Sequence, residues 1–305
     1  MMRILLTGSS GFLGRHILAS PASAGISFRC ATRAESSRPD RDIVLGPGPW
    51  GRTEFEHALA VSRPDVVIHC AGATHGEARL LFEANAVPTA GLLAALSGMA
   101  NPPRTILLGS AAEYGYVSND AMPVREDHPC QPRSDYGISK YTQTLLGLAA
   151  AERGLPVMVA RLFNPVGLGM PPKLALPSFA RRIVKASGTD GVIKVGNLEV
   201  SRDFIDVREA AHLLIALACA RHWCWPILNL CSGHAFRLDV LLNSMITACG
   251  KRIDVQVDPE LLRSDDMPLL VGSTERLLAV GLAPEPPDFE SLLPQILADA
   301  ENACH

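Results

Sequence analysis

The stretch RILLTGSSGFLGRHILA, residues 3–19, decides the fold of this chain. Its apolar beginning predicts a buried strand over Arg3–Thr7, and the spacing of apolar residues in Phe12–Ala19 predicts a helix. A glycine-rich turn lies between them. The N-terminus of a helix that follows such a turn offers free N–H groups and a positive dipole end to phosphate. The stretch therefore predicts a dinucleotide-binding turn at the beginning of the chain.

The turn contains three glycines in the spacing Gly-x-x-Gly-x-x-Gly. Gly8 permits the tight turn, Gly11 lets the backbone approach a pyrophosphate, and Gly14 lets the helix pack closely on the strand. We therefore expect the cofactor to contact the turn and the first helical residues, namely Gly8, Ser10, Gly11, Phe12, Leu13 and Gly14.

The residues after the second predicted strand, Ile26–Thr32, bear on the choice of cofactor. A carboxylate there would bind the ribose of NAD, whereas an arginine suits the 2′-phosphate of NADP. Arg33 is the first charged residue beyond the strand, and Glu35 is a rival ribose partner later in the turn. We therefore predict that NADP(H) is favoured over NAD(H). Ala71 and Gly72, at the end of the third predicted strand, are further candidate cofactor contacts.

Strands and helices alternate over the first half of the chain. Further strands are predicted over Pro64–Ala71, Arg104–Gly109 and Pro156–Leu162, and helices over Leu80–Met99 and Gly137–Arg153. Such alternation implies βαβ units with right-handed crossovers. The fold class is therefore α/β, with a Rossmann-like doubly wound parallel sheet.

The composition of the sequence changes after Asn164. Proline and glycine become frequent, and Val192–Val195 and Ile253–Val257 are predicted as isolated strands. We expect an NADP-binding Rossmann domain over residues 1–165 and a smaller C-terminal α/β substrate lobe over residues 166–305. The return segment at about 203–232 can rejoin the large sheet.

The segment Tyr136-Gly137-Ile138-Ser139-Lys140 is the most informative for chemistry. Residues at positions i and i+4 share one helix face, and a neighbouring ammonium favours the phenolate of a tyrosine. We therefore expect Lys140 to lower the pKa of Tyr136, so that Tyr136 exchanges a proton with a carbonyl or an alcohol. Ser110 follows the fourth predicted strand, at the sheet edge where α/β proteins bind ligands, and can hydrogen-bond the reacting oxygen.

The glycine turn, Ser110 and Tyr136-x-x-x-Lys140 together resemble the extended short-chain dehydrogenase/reductase superfamily of nucleotide-sugar enzymes. The resemblance covers essentially the whole chain and implies the two-lobe fold described above. It also implies a catalytic set of Ser110, Tyr136 and Lys140, in which the lysine binds the nicotinamide ribose as well. In that family the tyrosine protonates a ketone oxygen as hydride arrives.

Three later segments resemble the nucleotide-sugar contacts of this superfamily. Arg161-Leu162-Phe163-Asn164 implies a diphosphate contact by Asn164, and VGNLEVSRDF implies a nucleotide contact by Arg202. LRSDDMP implies a phosphate contact by Arg263 and a ribose contact by Asp266. Thr74 is a further candidate hexose contact. Physically, arginine forks suit diphosphate oxygens, and a carboxylate suits ribose hydroxyls.

Within the superfamily, the segments VGNLEVSRDFIDV (residues 195–207), NLCSG (229–233), and LRSDDMP with the following VGS (262–268 and 271–273) are most similar to the GDP-6-deoxy-4-keto-mannose reductases. That similarity implies NADPH-dependent reduction of the C4 ketone of a nucleotide-linked 4-keto-6-deoxyhexose, as in the conversion of GDP-4-keto-6-deoxy-mannose to GDP-D-rhamnose. The related 4,6-dehydratases carry an acid two to three positions before the tyrosine of the serine segment. Here those positions are Ala111 and Ala112, which argues against dehydration.

Two other functions remain open on the residues alone. One is a nucleotide-sugar 4-epimerase with tightly bound NAD, which would use the same catalytic set. The other is a non-catalytic NADP-binding sensor that kept only the glycine turn. An intact Ser110, Tyr136 and Lys140 argue against the sensor.

Composition excludes some classes of partner. The formal net charge of −3 provides no broad positive field for nucleic acid, and no run of about 18 apolar residues predicts a membrane span. We therefore expect a cytoplasmic protein that binds neither nucleic acid nor a membrane. The resemblance implies a nucleotide-diphosphate sugar as its substrate. A homodimer paired through the helices predicted at Leu80–Met99 and Gly137–Arg153 is also expected from the resemblance.

The eight cysteines form no Cys-x-x-Cys pair. Zinc-ribbon spacing is therefore absent, and we expect no metal site. Several cysteines lie within apolar runs, which predicts reduced thiols in the core.

Overall fold

The computed structural model describes residues 1–34, 38–186, 190–262 and 267–303. The strands in this part of the chain are β1 Arg3–Thr7, β2 Ser27–Thr32, β3 Asp42–Val44, β4 Val66–His69, β5 Arg104–Ser110, β6 Val157–Leu162, β7 Asn164–Val166, β8 Asp190–Val195, β9 Ser201–Asp206, β10 Ile227–Leu230, β11 Ala235–Arg237, β12 Arg252–Val257 and β13 Leu269–Leu270. The α-helices are α1 Phe12–Ala19, α2 Arg52–Ser62, α3 Ala78–Ser97, α4 Asp135–Glu152, α5 Ala175–Lys185, α6 Val207–Cys219, α7 Leu238–Cys249, α8 Glu275–Ala279 and α9 Phe289–Asn302.

Seven parallel strands form the large sheet, in the order β10-β6-β5-β4-β1-β2-β3. The chain runs outward from β1 to β3 and then returns to β4 on the other side of β1. A crevice therefore opens where the carboxyl ends of β1 and β4 meet, which is the switch point at which open α/β sheets bind ligands. The prediction of a Rossmann-like doubly wound parallel sheet is confirmed.

The central strands are buried on both faces, which explains their continuous apolar sequences. Ile4 and Leu6 pack toward α1 and α6, while Leu5 packs on the opposite face with residues of α2 and α3. All three side chains are fully buried. This two-sided core holds the carboxyl edge of the sheet in a fixed position.

The return segment contributes to both parts of the structure. β10 pairs with β6 at the edge of the large sheet, whereas β9 forms a smaller sheet with β7, β11 and β13. A second core of α5, α7 and α9 side chains, including Phe179, Leu242 and Ile296, packs beside the small sheet. The division into domains at residue 165 stays a prediction.

Some predicted elements differ from the structure. The prediction that Val192–Val195 and Ile253–Val257 are isolated strands is wrong, because β8 and β12 pair with each other in parallel. Nothing local in either segment specifies this partner, which lies about 60 residues away in the register Asp190↔Arg252. Helix α4 begins two residues earlier than predicted because the Ser134 side chain caps it, accepting a hydrogen bond from the Gly137 N–H at 3.1 Å.

The described cysteines are all free, but they are not all core residues. Cys30 and Cys231 are buried, whereas Cys219 and Cys224 are exposed. The latter two lie at and beyond the end of α6, where the chain reaches the surface. The expectation of core thiols is therefore wrong for this pair.

Helix α3 is the one described helix whose length and hydropathy match a membrane span. Half of its most apolar window is buried inside the protein, and α3 packs against α2 and α4. Core helices share these properties, so the match is weak evidence for a membrane span. The absence of a membrane association and the cytoplasmic location stay predictions.

Candidate active site

Ser110 and Tyr136 meet at the carboxyl edge of the large sheet. Ser110 is the last residue of β5, and its Oγ accepts a hydrogen bond from the Ala112 N–H at 3.2 Å as the chain turns. Tyr136 lies in the first turn of α4, which packs closely on this turn, since a Cβ on the neighbouring Gly137 would lie 2.6 Å from the Ala112 carbonyl oxygen. The structure therefore brings together the two residues predicted to contact a reacting oxygen.

Lys140 lies one turn further along α4 and is 5% exposed. Its Nζ donates to the backbone oxygen of Leu108 at 2.5 Å and to Oε1 of Gln143 at 2.7 Å. Burial lowers the pKa of Lys140 to about 8, against the opposing effect of the Glu113 carboxylate. The ammonium is thus held at the floor of the site by a strand carbonyl and a neighbouring amide.

The expected direction of the Tyr136 pKa is wrong in this structure. The pKa of Tyr136 is raised above its ordinary value, chiefly because burial disfavours the phenolate. The polar side chain of Ser110 opposes this rise in part, and the negative charge of Glu113 adds to it. Desolvation therefore outweighs the help expected from Lys140, whose Nζ bonds Leu108 and Gln143 instead.

The glycine turn has the geometry that a pyrophosphate cradle requires. Gly8 has φ +74°, and a Cβ there would lie 2.8 Å from the backbone of Ala71. A Cβ on Gly14 would lie 2.1 Å from the Gly8 carbonyl oxygen. Gly11 is the N-cap of α1 and provides no side-chain cap, so the helix end faces the crevice with backbone groups alone. These residues fit the diphosphate of a dinucleotide.

The other predicted cofactor residues lie around this turn. Ser10 is exposed, Phe12 is half-buried, and Leu13 is buried in the core beneath the turn. The Ala71 N–H donates to Oγ1 of Thr7 at 3.0 Å, which joins the end of β4 to the glycine turn. Gly72 follows directly. The exposed candidates of the turn and of the segment after β4 therefore lie next to each other, whereas the Leu13 side chain belongs to the core.

Arg33 is exposed immediately after β2, at the same edge of the sheet. Its contact with an adenosine 2′-phosphate stays a prediction, and its rival Glu35 lies outside the described residues. In the part of the chain that the structure describes, no cluster of three histidine, cysteine or acidic side chains is arranged to hold a metal ion.

Asn85 is a buried site residue that sequence reasoning missed. Its Nδ2 donates to the Ala73 carbonyl oxygen at 3.0 Å and to Oγ of Ser139 at 2.9 Å, while its Oδ1 accepts from the Ala73 N–H at 2.9 Å. It therefore ties the loop after β4 to the helix that carries Tyr136. The available signal was a single asparagine within the apolar helix sequence EANAVP.

Asp203 is the second residue that sequence reasoning missed, although it lies within the SRDF segment. Its fully buried carboxylate accepts hydrogen bonds from the Ser232 N–H and Oγ at 2.9 and 2.8 Å, the Gly233 N–H at 2.9 Å and the Gly272 N–H at 3.1 Å. The sequence segments NLCSG and VGS therefore meet at one carboxylate, which joins the end of β10 to the small sheet.

The predicted substrate residues are only partly brought together. Nδ2 of Asn164 donates to the Asp203 carbonyl oxygen at 2.7 Å, and the Arg202 guanidinium donates to the carbonyl oxygens of Ser201 and Met267 at 2.9 and 2.6 Å. Both therefore lie on the small sheet. Thr74 is exposed in the loop after β4, with its Oγ1 2.7 Å from Nδ1 of His75. The predictions for Arg263 and Asp266 lie outside the described residues.

Comparison with known sequences then identifies the family. Residues 4–222 match the profile of the NAD dependent epimerase/dehydratase family. The chain belongs to this family. The resemblance to extended short-chain dehydrogenases/reductases is thereby confirmed, and with it an NAD(P)-dependent enzyme of the nucleotide-sugar reductase and epimerase class.

Two curated family members and one solved structure illustrate the similarity. The chain is 30% identical to a GDP-6-deoxy-D-mannose reductase of Pseudomonas aeruginosa, over 98% of this chain and 97% of that protein. It is 28% identical to a dTDP-6-deoxy-L-talose 4-dehydrogenase (NAD(P)(+)) of Kitasatospora kifunensis, over 84% and 82%. The structure of RMD from Pseudomonas aeruginosa complexed with NADPH superposes with a TM-score of 0.79 at 26% identity, covering 99% of this chain and all of that one.

Proposed function

We propose that this family member reduces the C4 ketone of a nucleotide-linked 4-keto-6-deoxyhexose with NADPH, converting GDP-4-keto-6-deoxy-mannose to GDP-D-rhamnose. The packing of the first turn of α4, which carries Tyr136, onto the chain directly after Ser110 at the carboxyl edge of the sheet carries this proposal. The similarity to a GDP-6-deoxy-D-mannose reductase along nearly the whole chain supports it.

The catalytic roles follow from the positions of the three side chains. Tyr136 donates its phenolic proton to the ketone oxygen, and the Ser110 hydroxyl holds that oxygen beside the phenol. NADPH, when bound, supplies the hydride to C4. The raised pKa of Tyr136 keeps the phenol protonated, which is the form that a reduction consumes. Lys140 holds the nicotinamide ribose beside the phenol.

Cofactor and substrate are bound by opposite sides of the crevice in this proposal. The glycine turn and the N-terminus of α1 bind the pyrophosphate, and Arg33 binds the 2′-phosphate that distinguishes NADPH from NADH. Residues 1–165 therefore serve as the cofactor domain and residues 166–305 mainly as the substrate lobe. We assign the nucleotide-sugar contacts to Thr74, Ser110, Asn164, Arg202, Arg263 and Asp266.

A direct assay tests the proposed reaction. The protein is incubated with GDP-4-keto-6-deoxy-mannose and NADPH, and loss of NADPH absorbance is followed together with chromatographic detection of GDP-D-rhamnose. We expect one GDP-D-rhamnose to form for each NADPH oxidised to NADP⁺, and slower turnover with NADH at the same concentration. A thermal-shift panel of GDP, dTDP, UDP and CDP with NADPH present then identifies the nucleotide, because a ligand specific for the folded state raises its apparent stability.

The same assay separates the alternatives. NAD(H) retained through purification, with interconversion of C4 epimers and no net NADPH consumption, would replace the reductase by an epimerase. Binding of NADPH without turnover on any keto-sugar nucleotide would favour the sensor.

The Tyr136→Phe variant tests the assigned proton donor. Removing a general acid costs about 10²–10⁴-fold in rate, so kcat is expected to fall by that factor while NADPH binding is retained. Tyr141→Phe, on the same helix, is the matched control and keeps its activity. Full activity in Tyr136→Phe would refute the assignment.

We also propose that the protein is a homodimer paired through α3 and α4. These helices pack against each other and leave large apolar side chains exposed, namely Leu80 at 56%, Val87 at 43%, Ile138 at 39% and Leu145 at 48%. Such a surface is typical of an interface between copies. Light scattering after size-exclusion chromatography should give twice the monomer mass, and Leu145→Glu should give monomers. A monomeric wild-type protein would contradict the proposal.

A further inference from the structure

Glu113 lies directly behind the catalytic serine. It ends the short 3₁₀ turn Ala111–Glu113, and its side chain is fully buried. One carboxylate oxygen accepts the Ser110 N–H at 2.7 Å, and the other accepts Nε–H of Arg161 at 2.9 Å. A single carboxylate therefore connects the end of β5, which carries Ser110, to Arg161 on β6.

Arg161 is itself held on every side. It is 3% exposed, and its guanidinium lies 4.6 Å from the centre of the Tyr114 ring. Its terminal nitrogens lie 3.3 Å from the Glu126 carbonyl oxygen and 3.0 Å from Sγ of Cys130. Because Arg161 cannot turn away, the carboxylate of Glu113 stays directed at the Ser110 backbone.

Gly109 shows how closely this ion pair is packed. A Cβ at Gly109 would lie 2.8 Å from Oε1 of Glu113 and 3.2 Å from Cγ of Arg161. Both members of the pair therefore lie beneath the strand end, and Glu113 has no route to a ligand above Ser110. Glu113 therefore cannot act as the acid that a dehydratase would require.

Burial raises the pKa of Glu113, and the Arg161 guanidinium and the Ser110 N–H oppose that rise. Held in this ion pair, the carboxylate is a buried negative charge near both titrating residues of the site. It raises the pKa of Tyr136 and opposes the fall in the pKa of Lys140, because each group's protonated form is electrostatically favoured beside it. The other groups that act on Tyr136 and Lys140 are the Ser110 hydroxyl and the Cys70 thiol, respectively. His69, beside Lys140, is neutral because its pKa is lowered to about 3.

We propose that Glu113, held by Arg161, is a positioning residue for Ser110 and provides the buried negative charge that acts on Tyr136 and Lys140. The role in catalysis rests on the proposed reductase function. In that reaction the phenol and the ammonium both work in their protonated forms, so the charge extends activity toward higher pH.

The test uses Glu113→Gln, which keeps the shape of the side chain and removes its charge. We expect the alkaline limb of the kcat/KM profile to move to lower pH by about one unit, a tenfold change in proton affinity. Ultraviolet titration of tyrosinate, taken as the difference from the same variant with Tyr136→Phe, should show the same fall in the pKa of Tyr136. Glu126→Gln removes another buried, arginine-paired carboxylate and is the matched control, with an unshifted limb.

A second variant guards against a folding defect. Glu113→Gln leaves Arg161 without its ion-pair partner, and Glu113→Gln combined with Arg161→Gln replaces the pair by two neutral amides. The double variant should move the alkaline limb in the same direction.

The outcomes separate the two proposals. A folded Glu113→Gln variant with the wild-type alkaline limb and the wild-type tyrosinate titration would overturn the proposed role of Glu113. Loss of folding in both variants would overturn it as well, because the ion pair would then serve stability alone. Absence of wild-type turnover would refute the reductase function, while the tyrosinate titration would still decide whether Glu113 acts on Tyr136.

Discussion

The buried imidazole of His69 makes the fold sensitive to mild acid. His69 is the last residue of β4 and is fully buried, with Nδ1 2.9 Å from Oγ1 of Thr7 and with Nε2 without a hydrogen-bond partner. The ring of Phe55 lies 5.9 Å away at 70°. Burial, with a smaller contribution from the nearby Lys140 charge, lowers the pKa of His69 from 6.5 to about 3. The folded protein therefore holds a neutral imidazole in a site that disfavours the cation.

The sign of the effect follows from proton linkage. Between pH 6.5 and pH 3 the unfolded chain binds a proton at His69 and the folded protein does not, so acid favours unfolding. The stability contributed by the neutral imidazole is fully present above pH 6.5 and is lost as the pH falls toward 3. At about 1.4 kcal/mol per pH unit, the free energy of unfolding should fall by about 2 kcal/mol between pH 7 and pH 5 on account of this residue.

Urea unfolding followed by tryptophan fluorescence at pH 5, 6 and 7 measures this loss. His69→Phe removes the titration and keeps an aromatic ring beside Phe55, so its unfolding free energy should lose about 2 kcal/mol less than the wild type over this range. His57→Gln removes an exposed histidine on α2 and should retain the wild-type pH dependence. Equal losses in His69→Phe and the wild type would refute the reasoning.

Three further predictions concern the glycine turn, the buried carboxylate of Asp203, and Arg33. In Gly14→Ala the new methyl group would lie 2.1 Å from the Gly8 carbonyl oxygen, so the Kd for NADPH should rise about tenfold or more in a fluorescence titration. Gly98→Ala is the control, and unchanged affinity in Gly14→Ala would contradict the proposal that the glycine turn binds the pyrophosphate. Asp203→Asn leaves at least one buried donor facing an amide NH2 and weakens the remaining hydrogen bonds, so the free energy of unfolding in urea should fall by about 2–5 kcal/mol. A fall below about 1 kcal/mol would show that the Asp203 carboxylate does not hold these segments together. Arg33→Ala should lower the ratio of kcat/KM for NADPH to that for NADH by about tenfold, and an unchanged ratio would remove Arg33 from the 2′-phosphate site.

The parts of the fold that follow from short-range pattern were predictable. The bounds of β1 and α1 agree with prediction, and α3 and α4 differ by about two residues at their ends. β3 has only three residues, Asp42–Val44, and its sequence carries no period long enough to identify a strand. It is a strand because β2 presents an unpaired edge to it.

The candidate site divides in the same way. The glycine turn and the Tyr136–Lys140 pair are each local along the chain, so their spacing alone indicated them. Asn85 and Asp203 hold segments that are distant in sequence, and their importance comes from partners that only folding brings within hydrogen-bond distance.

The sequence by itself therefore determined the class of sheet, and its local spacings indicated the glycine turn and the residues predicted to contact a reacting oxygen. Their electrostatic state was decided only by the tertiary structure. Spacing predicted that Lys140 would lower the pKa of Tyr136, but burial raised it, and the buried carboxylate of Glu113 acts in the same direction. A pKa depends on desolvation and on charges across space, and neither quantity is encoded in the separation of two residues along a helix.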